Sequence, residues 1–256
     1  MPVSPREFKV MVLDEGAVAK TAAASIEELA RERVAESGRF NIALSGGSTP
    51  REVYELLANT RNFPDMPWDK TYLFWGDERM VKPDHPDSNY KMVFDALLKK
   101  NVVPIENLFP IGTTAGSAAA CAEKYEQTLK SKIQKKSGGF PVFDLIMLGL
   151  GPDGHTASLF PGTPAPLERT RAVTWCDPVA ANPNVQPAVE RVTITAPVIW
   201  RAANVFVLAE GSAKKSVLAQ LFTSGNLEGP PVCRLLWSCQ GQVRFFIDAA
   251  AFTKPK

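Results

Sequence analysis

Short apolar runs alternate with longer segments of helical periodicity along the chain. Runs rich in β-branched and aromatic residues predict strands at 8–13, 40–44, 71–75, 108–111, 145–148, 172–175, 191–195, 204–208 and 242–247. Apolar residues three to four positions apart predict helices at 15–37, from 49 onward, and at 88–100, 117–135, 196–202 and 213–221. This alternation predicts an α/β fold: a mostly parallel, Rossmann-like sheet with helices on both faces.

Local signals place some of the boundaries. Gly38 is suited to end the first helix. Thr49 is predicted as the N-cap of the second helix, with Pro50 at its first position and Glu52 completing a capping box. No repeat, low-complexity tract or linker interrupts residues 1–256, so we predict a single domain. The proline- and alanine-rich stretch 161–187 is where a boundary between two domains would be easiest to place.

Composition narrows the classes of function. The chain has 256 residues and a net charge of +2, which gives no support for a polyanion-binding surface, so an anion site must be local. The N-terminus lacks an apolar signal segment, the C-terminal tail lacks an address signal, and no apolar run approaches the about 18 residues that span a membrane. We therefore expect a cytoplasmic protein that binds neither nucleic acid nor membrane. Four scattered cysteines without CxxC spacing are predicted to be reduced thiols: Cys121, Cys176, Cys233 and Cys239.

The first candidate site follows the second strand. Its residues Ser45, Gly46, Gly47, Ser48 and Thr49 precede a helix start, so their N–H groups and hydroxyls suit a phosphate monoester. The spacing is that of neither a Walker loop nor a GxGxxG motif. The alternative is a tight turn before a well-capped helix.

Two further candidates also follow strands. Gly76 to Arg79 concentrates three charges, and Arg79 could bind phosphate or a sugar-acid oxygen, whereas the alternative is a turn with an Asp–Arg ion pair. Asp153, Gly154 and His155 lie in a glycine-rich turn, where His155 is suited to take a proton from water and Asp153 to orient it. The alternative there is a structural histidine.

The remaining titratable residues carry weaker signals. His85 lies among prolines and aspartates, which favours a surface loop. Arg191 and Lys214 stand at the starts of a strand and a helix, where single charges are usually solvated. No GxSxG elbow, metal-ligand cluster or basic aromatic patch is present, so metal catalysis and nucleic-acid binding have no basis in the sequence.

Six segments together resemble the 6-phosphogluconolactonases of the pentose phosphate pathway. They occur in the same order and are LSGGSTP (44–50), FWGDER (74–79), HPDSNY (85–90), DLIMLGLGPDGHTASLFPG (144–162), ERVTIT (190–195) and AEGSAKK (209–215). The resemblance implies a metal-independent, cofactor-free hydrolase that converts 6-phospho-D-glucono-1,5-lactone to 6-phospho-D-gluconate, the second step of the oxidative branch. A small-molecule substrate and a monomer or weak dimer are expected.

The resemblance also implies roles for residues. The proposed general base falls on His155, with Asp153 and Gly154 beside it, and the contacts with phosphate and sugar fall on the loop 45–49, Arg79, Arg191 and Lys214. Asp77 is expected to contact a sugar hydroxyl or to hold Arg79. The oxyanion is expected to bind N–H groups of the turn 151–155 or an arginine.

Two other functions are compatible with such a site. Glucosamine-6-phosphate deaminases and sugar-phosphate isomerases share the fold, but they carry a glutamate five residues after the histidine, where this chain has Phe160. A non-catalytic sugar-phosphate sensor would keep the pocket without the chemistry. Intact Asp153 and His155 argue against the sensor.

Overall fold

A central parallel sheet carries the fold. A computed structural model describes residues 8–223 and 229–252. The strands within these ranges are β1 (Lys9–Leu13), β2 (Phe40–Leu44), β3 (Thr71–Trp75), β4 (Asp77–Arg79), β5 (Leu108–Phe109), β6 (Lys136–Ser137), β7 (Phe140–Pro141), β8 (Leu145–Gly149), β9 (Val173–Cys176), β10 (Arg191–Ile194), β11 (Asn204–Ala209) and β12 (Gln242–Asp248). Seven of them form the main sheet in the order β1-β12-β11-β8-β2-β3-β5, with every neighbouring pair parallel.

Helices cover both faces of this sheet. They are α1 (Val18–Ser37), α2 (Ser48–Leu57), α3 (Asn89–Ala96), α4 (Ala118–Lys132), α5 (Ala196–Arg201), α6 (Lys215–Phe222) and α7 (Pro231–Trp237). The chain moves one way across the sheet through β2, β3 and β5 and the other way through β8, β11 and β12. Right-handed crossovers therefore put α1–α3 on one face and α4–α7 on the other. The contacts between helices agree with this placement: α1 contacts α2, α2 contacts α3, and α7 contacts α5 and α6. The predicted fold class is confirmed.

The order of the strands fixes where a ligand can bind. Successive connections leave β2 and β8 in opposite directions although these strands are neighbours, with Ile42 paired to Leu145. The loops that follow the two strands consequently diverge and open a crevice at their carboxyl ends. Both strands are almost fully buried, which holds the rims of this crevice in place.

A small antiparallel sheet stands beside the crevice. Its order is β4-β10-β9, and β4 follows β3 after the single residue Gly76. The sequence indicated a turn at Asp77–Arg79, whereas the structure makes it a short strand because Arg191–Ile194 supplies an antiparallel partner. This partner is more than a hundred positions away, so no local pattern reveals it.

The structure corrects several predicted boundaries. Thr49 is not an N-cap, since α2 begins at Ser48 after Gly47, and its hydroxyl donates to Glu210 at 2.6 Å instead of closing a capping box. The helix at 88–100 ends at Ala96, with a 3-10 turn at Leu98–Lys100, and the helix at 117–135 ends at Lys132 before the β6–β7 hairpin. Helix α7 was not predicted. Gly38 ends α1 as predicted, with a φ of 74°.

Some sequence expectations lie outside the described residues. The N-terminal stretch 1–7 and the tail 253–256, on which the absence of targeting signals was argued, belong to this group. Among the helices in the described part of the chain, none is long and apolar enough to cross a membrane.

Candidate active site

The crevice contains a cavity with two adjoining lobes, each of about 250 Å³. One lobe is bordered by the glycines after β2 and by Lys214, and the other by Arg191 and the segment 182–186. The residues common to both lobes are Asp77, Arg79, Pro152, His155 and Ala157. The predicted sites after β2, β3 and β8 are thus parts of one cavity.

Asp153 and His155 form a hydrogen-bonded pair at its centre. The Nδ1 atom of His155 lies 2.6 Å from Oδ1 of Asp153, and the backbone N–H of His155 donates to the same oxygen at 3.1 Å. Burial raises the pKa of Asp153, but the hydrogen bond and the charge of His155 outweigh it, so this pKa lies below its usual value. An ionised Asp153 favours the imidazole tautomer with hydrogen on Nδ1, which leaves Nε2 able to accept a proton.

Two neighbours fix the plane of the imidazole. The ring of Phe160 stacks on it with centroids 4.2 Å apart and an angle of 28°. On another side the ring lies against the backbone of Gly151, where an added Cβ would meet Nδ1 at 2.2 Å. Gly151 is therefore required for the close approach of the histidine to its own loop.

Hydrogen bonds within the turn engage three of its four N–H groups. The N–H of Gly151 donates to the carbonyl of His155 at 2.8 Å, and that of Gly154 donates to the carbonyl of Gly151 at 3.0 Å. His155 donates to Asp153, and Pro152 has no N–H group. The turn is rigid, but these groups are not available to a ligand. Gly154 itself holds the turn without lining the cavity.

The three charges after β3 serve different purposes. Asp77 is buried and accepts from the hydroxyl of Ser158 at 2.6 Å, which ties β4 to the segment after His155. Glu78 is 1% exposed and points away, where it accepts from the N–H groups of Asn89 and Tyr90 at the start of α3. Burial raises the pKa of Glu78 although these donors oppose the effect. Arg79 lines both lobes and donates to the carbonyl of Asp87 at 2.8 Å.

Arg79 and Arg191 lie directly opposite each other across β4 and β10. Arg191 is only 3% exposed, and within residues 8–223 and 229–252 its Nε and Nη1 have no hydrogen-bond partner. Burial, followed by the charge of Arg79, lowers the pKa of Arg191. Like charges placed opposite each other across a strand pair destabilise the sheet, so this arrangement is suited to bind an anion.

The loop after β2 enters the site through its backbone. The Ser45 hydroxyl accepts from the N–H of Gly149 at 3.2 Å, which joins this loop to the end of β8. Gly46 passes so close to Asn89 that an added Cβ would lie 2.1 Å from Oδ1. Ser45, Gly46 and Gly47 line the cavity, whereas Ser48 and Thr49 do not, because Ser48 faces solvent and Thr49 bonds Glu210.

Lys214 closes the same lobe from the end of β11. Burial lowers its pKa, and the opposing charge of Asp153 only partly restores it. His85, by contrast, is half exposed and lies outside both lobes, as the sequence favoured.

Several lining residues were not identified from the sequence. Asn89 was recognised only as part of a motif, and Ser158 as part of the turn that follows His155. Asn182, Val185 and Gln186 form a wall of the second lobe, although their proline- and alanine-rich segment carries no recognisable motif. Only the placement of this segment over β10 gives it a role. Among the described residues, no three His, Cys, Asp or Glu side chains are grouped to hold a metal ion.

The chain is similar to known proteins in both sequence and fold. A family model described as glucosamine-6-phosphate isomerases/6-phosphogluconolactonase matches residues 13–244. A 6-phosphogluconolactonase of Nostoc sp. is 41% identical over 85% of both chains, and one of Synechocystis sp. is 45% identical over 74% of both. The solved 6-phosphogluconolactonase of Leishmania guyanensis aligns with a TM-score of 0.87 at 31% identity, covering 96% of this chain and 98% of that one.

Proposed function

Because the chain belongs to the family of glucosamine-6-phosphate isomerases and 6-phosphogluconolactonases, we propose that it hydrolyses 6-phospho-D-glucono-1,5-lactone to 6-phospho-D-gluconate. This reaction is the second step of the oxidative pentose phosphate pathway. The family contains two chemistries, and the relatives of 41% and 45% identity carry the name of the lactonase. The chain is accordingly assigned to the lactone hydrolases.

The observation that carries the mechanism is the Asp153–His155 pair facing a cavity with three cations. With hydrogen on Nδ1 held by Asp153, Nε2 of His155 accepts a proton from water as the oxygen attacks the lactone carbonyl. The tetrahedral intermediate then collapses and expels the ring oxygen, which takes up the proton. A lactone is an activated ester, so water suffices as nucleophile and no covalent enzyme intermediate is needed.

The negative charge that develops on the carbonyl oxygen needs a donor. The N–H groups of Gly151, Gly154 and His155 are already engaged, which favours an arginine over the turn as the source of that donor. We assign this role to a cationic side chain, and Arg79 is placed for it because it lines both lobes. One such donor is typically worth about 3 kcal/mol in the transition state.

With Arg79 assigned to the carbonyl oxygen, Arg191 and Lys214 are the cations that remain to bind a phosphate dianion. Their concentration around one cavity explains how a protein of net charge +2 binds an anionic sugar. The N-terminal end of the α2 dipole adds to this field. Binding the phosphate away from the carbonyl orients the lactone against His155, which converts binding energy into rate.

Phe160 favours hydrolysis over deamination. It occupies the position at which the deaminases carry a glutamate, and its ring stacks on His155. An apolar ring cannot exchange the protons that ring opening and isomerisation require. The histidine here therefore works with Asp153 alone.

Other features of the protein are proposed on narrower grounds. We propose a cytoplasmic enzyme, supported by the four cysteines, which are all buried and lack CxxC spacing. We also propose that it acts as a monomer or weak dimer.

The direct test is acid release from freshly generated 6-phosphogluconolactone, measured with a pH indicator against spontaneous hydrolysis. We expect acceleration far above the uncatalysed rate, and slower turnover of gluconolactone without phosphate. Ammonia release from glucosamine 6-phosphate is measured in parallel. A lactone rate equal to the spontaneous one, or rapid ammonia release, would contradict the proposal.

A further inference from the structure

Two buried tyrosines close the ends of neighbouring strands in the same way. The hydroxyl of Tyr54 accepts from the N–H of Ser45 at 2.9 Å and donates to the carbonyl of Ser45 at 2.9 Å. The hydroxyl of Tyr125 accepts from the N–H of Trp75 at 2.8 Å and donates to the carbonyl of Trp75 at 2.9 Å. Each phenol thus bonds both backbone groups of one residue at the carboxyl end of its strand.

These tyrosines reach the sheet from opposite faces. Tyr54 belongs to α2 and Tyr125 to α4, and they are 1% and 2% exposed. Burial raises the pKa of both hydroxyls, so each remains a neutral group able to donate and accept at once. Neither residue lines the cavity.

Ser45 is bonded to two parts of the cavity wall, the glycine loop after β2 and the turn that carries His155. It is followed directly by Gly46 and Gly47, and its own hydroxyl accepts from the N–H of Gly149. The carbonyl of Gly149 in turn accepts from the hydroxyl of Thr156 at 2.7 Å, next to His155. The bond to Tyr54 therefore bears on both the glycine loop and the histidine turn.

Trp75 holds the segment Asp77–Arg79 as Ser45 holds the glycine loop. Gly76 follows it and donates to the carbonyl of Leu44 at 2.8 Å, and β4 then carries Asp77 and Arg79 into the cavity. Tyr125 fixes the last peptide groups before this change of sheet. Without the phenol, a buried N–H and a buried carbonyl would lose their partner, which costs more than the bond itself contributes.

We propose that Tyr54 and Tyr125 are positioning residues for hydrolysis, each holding one substrate-binding loop through the backbone of the strand end. The proposal rests on the lactonase function proposed above. Misplacement of catalytic groups by about 1 Å can cost on the order of a hundredfold in rate. Loss of either hydroxyl is expected to lower kcat/KM by about tenfold, since the loops keep their other bonds.

The experiment compares Tyr54→Phe and Tyr125→Phe with two matched controls. Tyr72→Phe alters a tyrosine of β3 that packs under Arg39, away from the cavity. Val53→Ala removes buried volume next to Tyr54 and lowers stability without touching a strand end. Thermal unfolding, kcat/KM for the phosphorylated lactone, and amide hydrogen exchange of the ligand-free protein are measured for each variant.

Positioning predicts a loss of kcat/KM in the two test variants at temperatures where all proteins are folded. It also predicts faster exchange at Ser45 and Gly149 in Tyr54→Phe and at Trp75 and Gly76 in Tyr125→Phe. Val53→Ala should melt earlier but keep its kcat/KM, and Tyr72→Phe should resemble the unaltered protein. Unchanged kcat/KM in both test variants would overturn the proposal and leave the tyrosines a purely structural role.

Failure of the proposed function is recognised separately. If the unaltered protein does not accelerate lactone hydrolysis, the function is wrong whatever the variants show. Amide hydrogen exchange needs no substrate, so in that case it alone tests whether the tyrosine hydroxyls hold the two strand ends. Selective acceleration at the two strand ends supports the holding role of the hydroxyls, and uniform or absent acceleration refutes it.

Discussion

At the scale of single residues, His155 gains its reactivity from contacts that are mostly local in sequence. Asp153, two positions before it, fixes the tautomer, and Phe160, five positions after it, fixes the ring plane. Gly151 makes room for the side chains of Asp153 and His155. A short segment thus holds the histidine that we propose as the base, and the other parts of the cavity are proposed to bring the substrate to it.

Replacing His155 with glutamine tests this assignment. We expect kcat to fall by at least about a hundredfold with little change in KM, because general-base catalysis is lost while the cations that bind the phosphate remain. The matched control is His85→Gln, at an exposed loop position outside the cavity. Steady-state kinetics of both variants test this expectation. Unchanged turnover in His155→Gln would refute the role of His155 as the general base.

Lys214 makes ligand binding sensitive to alkaline pH. Burial lowers its pKa, so the free enzyme loses this charge at a lower pH than an ordinary lysine does. We expect the affinity for 6-phosphogluconate to fall as pH rises towards the ordinary lysine pKa of about 10.4, and Lys214→Arg to abolish most of that fall because arginine stays protonated. Titration calorimetry measures both, with exposed Lys215→Arg as control; a pH-independent affinity of the unaltered protein would contradict the prediction.

At the scale of elements, the site depends on loops whose backbones touch. The β2–α2 loop reaches Asn89 of α3 and the end of β8, and β4 pairs with β10 to set Arg79 opposite Arg191. Each of these contacts joins segments distant in sequence. The elements therefore place the cations, while the turn after β8 supplies the base.

The approach of Gly46 to Asn89 provides a test at this scale. In Gly46→Ala the new Cβ would lie 2.1 Å from Oδ1 of Asn89, so the loop or α3 must move. We expect KM to rise about tenfold or more with a smaller change in kcat, because we propose that this loop binds the substrate and takes no part in the proton transfer. Gly112→Ala, where an added Cβ meets no atom within 4 Å, is the control. Equal kinetics of the two variants would show that the loop does not bind substrate.

At the scale of the whole molecule, one hydrophobic cluster runs through the sheet and both helical layers. The stretch 161–187 was the place where a domain boundary was easiest to place. The cluster includes Leu159 before this stretch, Ala172 and Val173 within it, and Val192 after it. Those loops pack onto the main body and wall the second lobe.

A single domain predicts one cooperative unfolding transition. Circular dichroism, which reports the helices, and tryptophan fluorescence should give coincident curves in urea. The tryptophans suit this comparison because Trp75 lies in β3 whereas Trp200 and Trp237 lie in α5 and α7. Curves with different midpoints would divide the chain into more than one unit.

The sequence by itself determined the fold class, most of the strands and helices, and the candidate residues His155, Asp153 and Arg79. These follow from periodicity, glycine spacing and motifs, which are local properties of a chain, whereas Arg191 and Lys214 became candidates only through the resemblance to a family. Its local signals misplaced the cap at Thr49, because the competing partner Glu210 is brought to that hydroxyl only by folding.

Only the tertiary structure decided which of these residues meet. The pairing of β4 with β10, the wall formed by 182–186 and the engaged donors of the turn all depend on contacts between distant segments. Burial also changed the properties of two cations. It lowers the pKa of Lys214, and it leaves two guanidinium nitrogens of Arg191 without a hydrogen-bond partner among the described residues. Hydrogen bonding and desolvation act through space, so a one-dimensional pattern indicates the chemistry of a site but not its geometry.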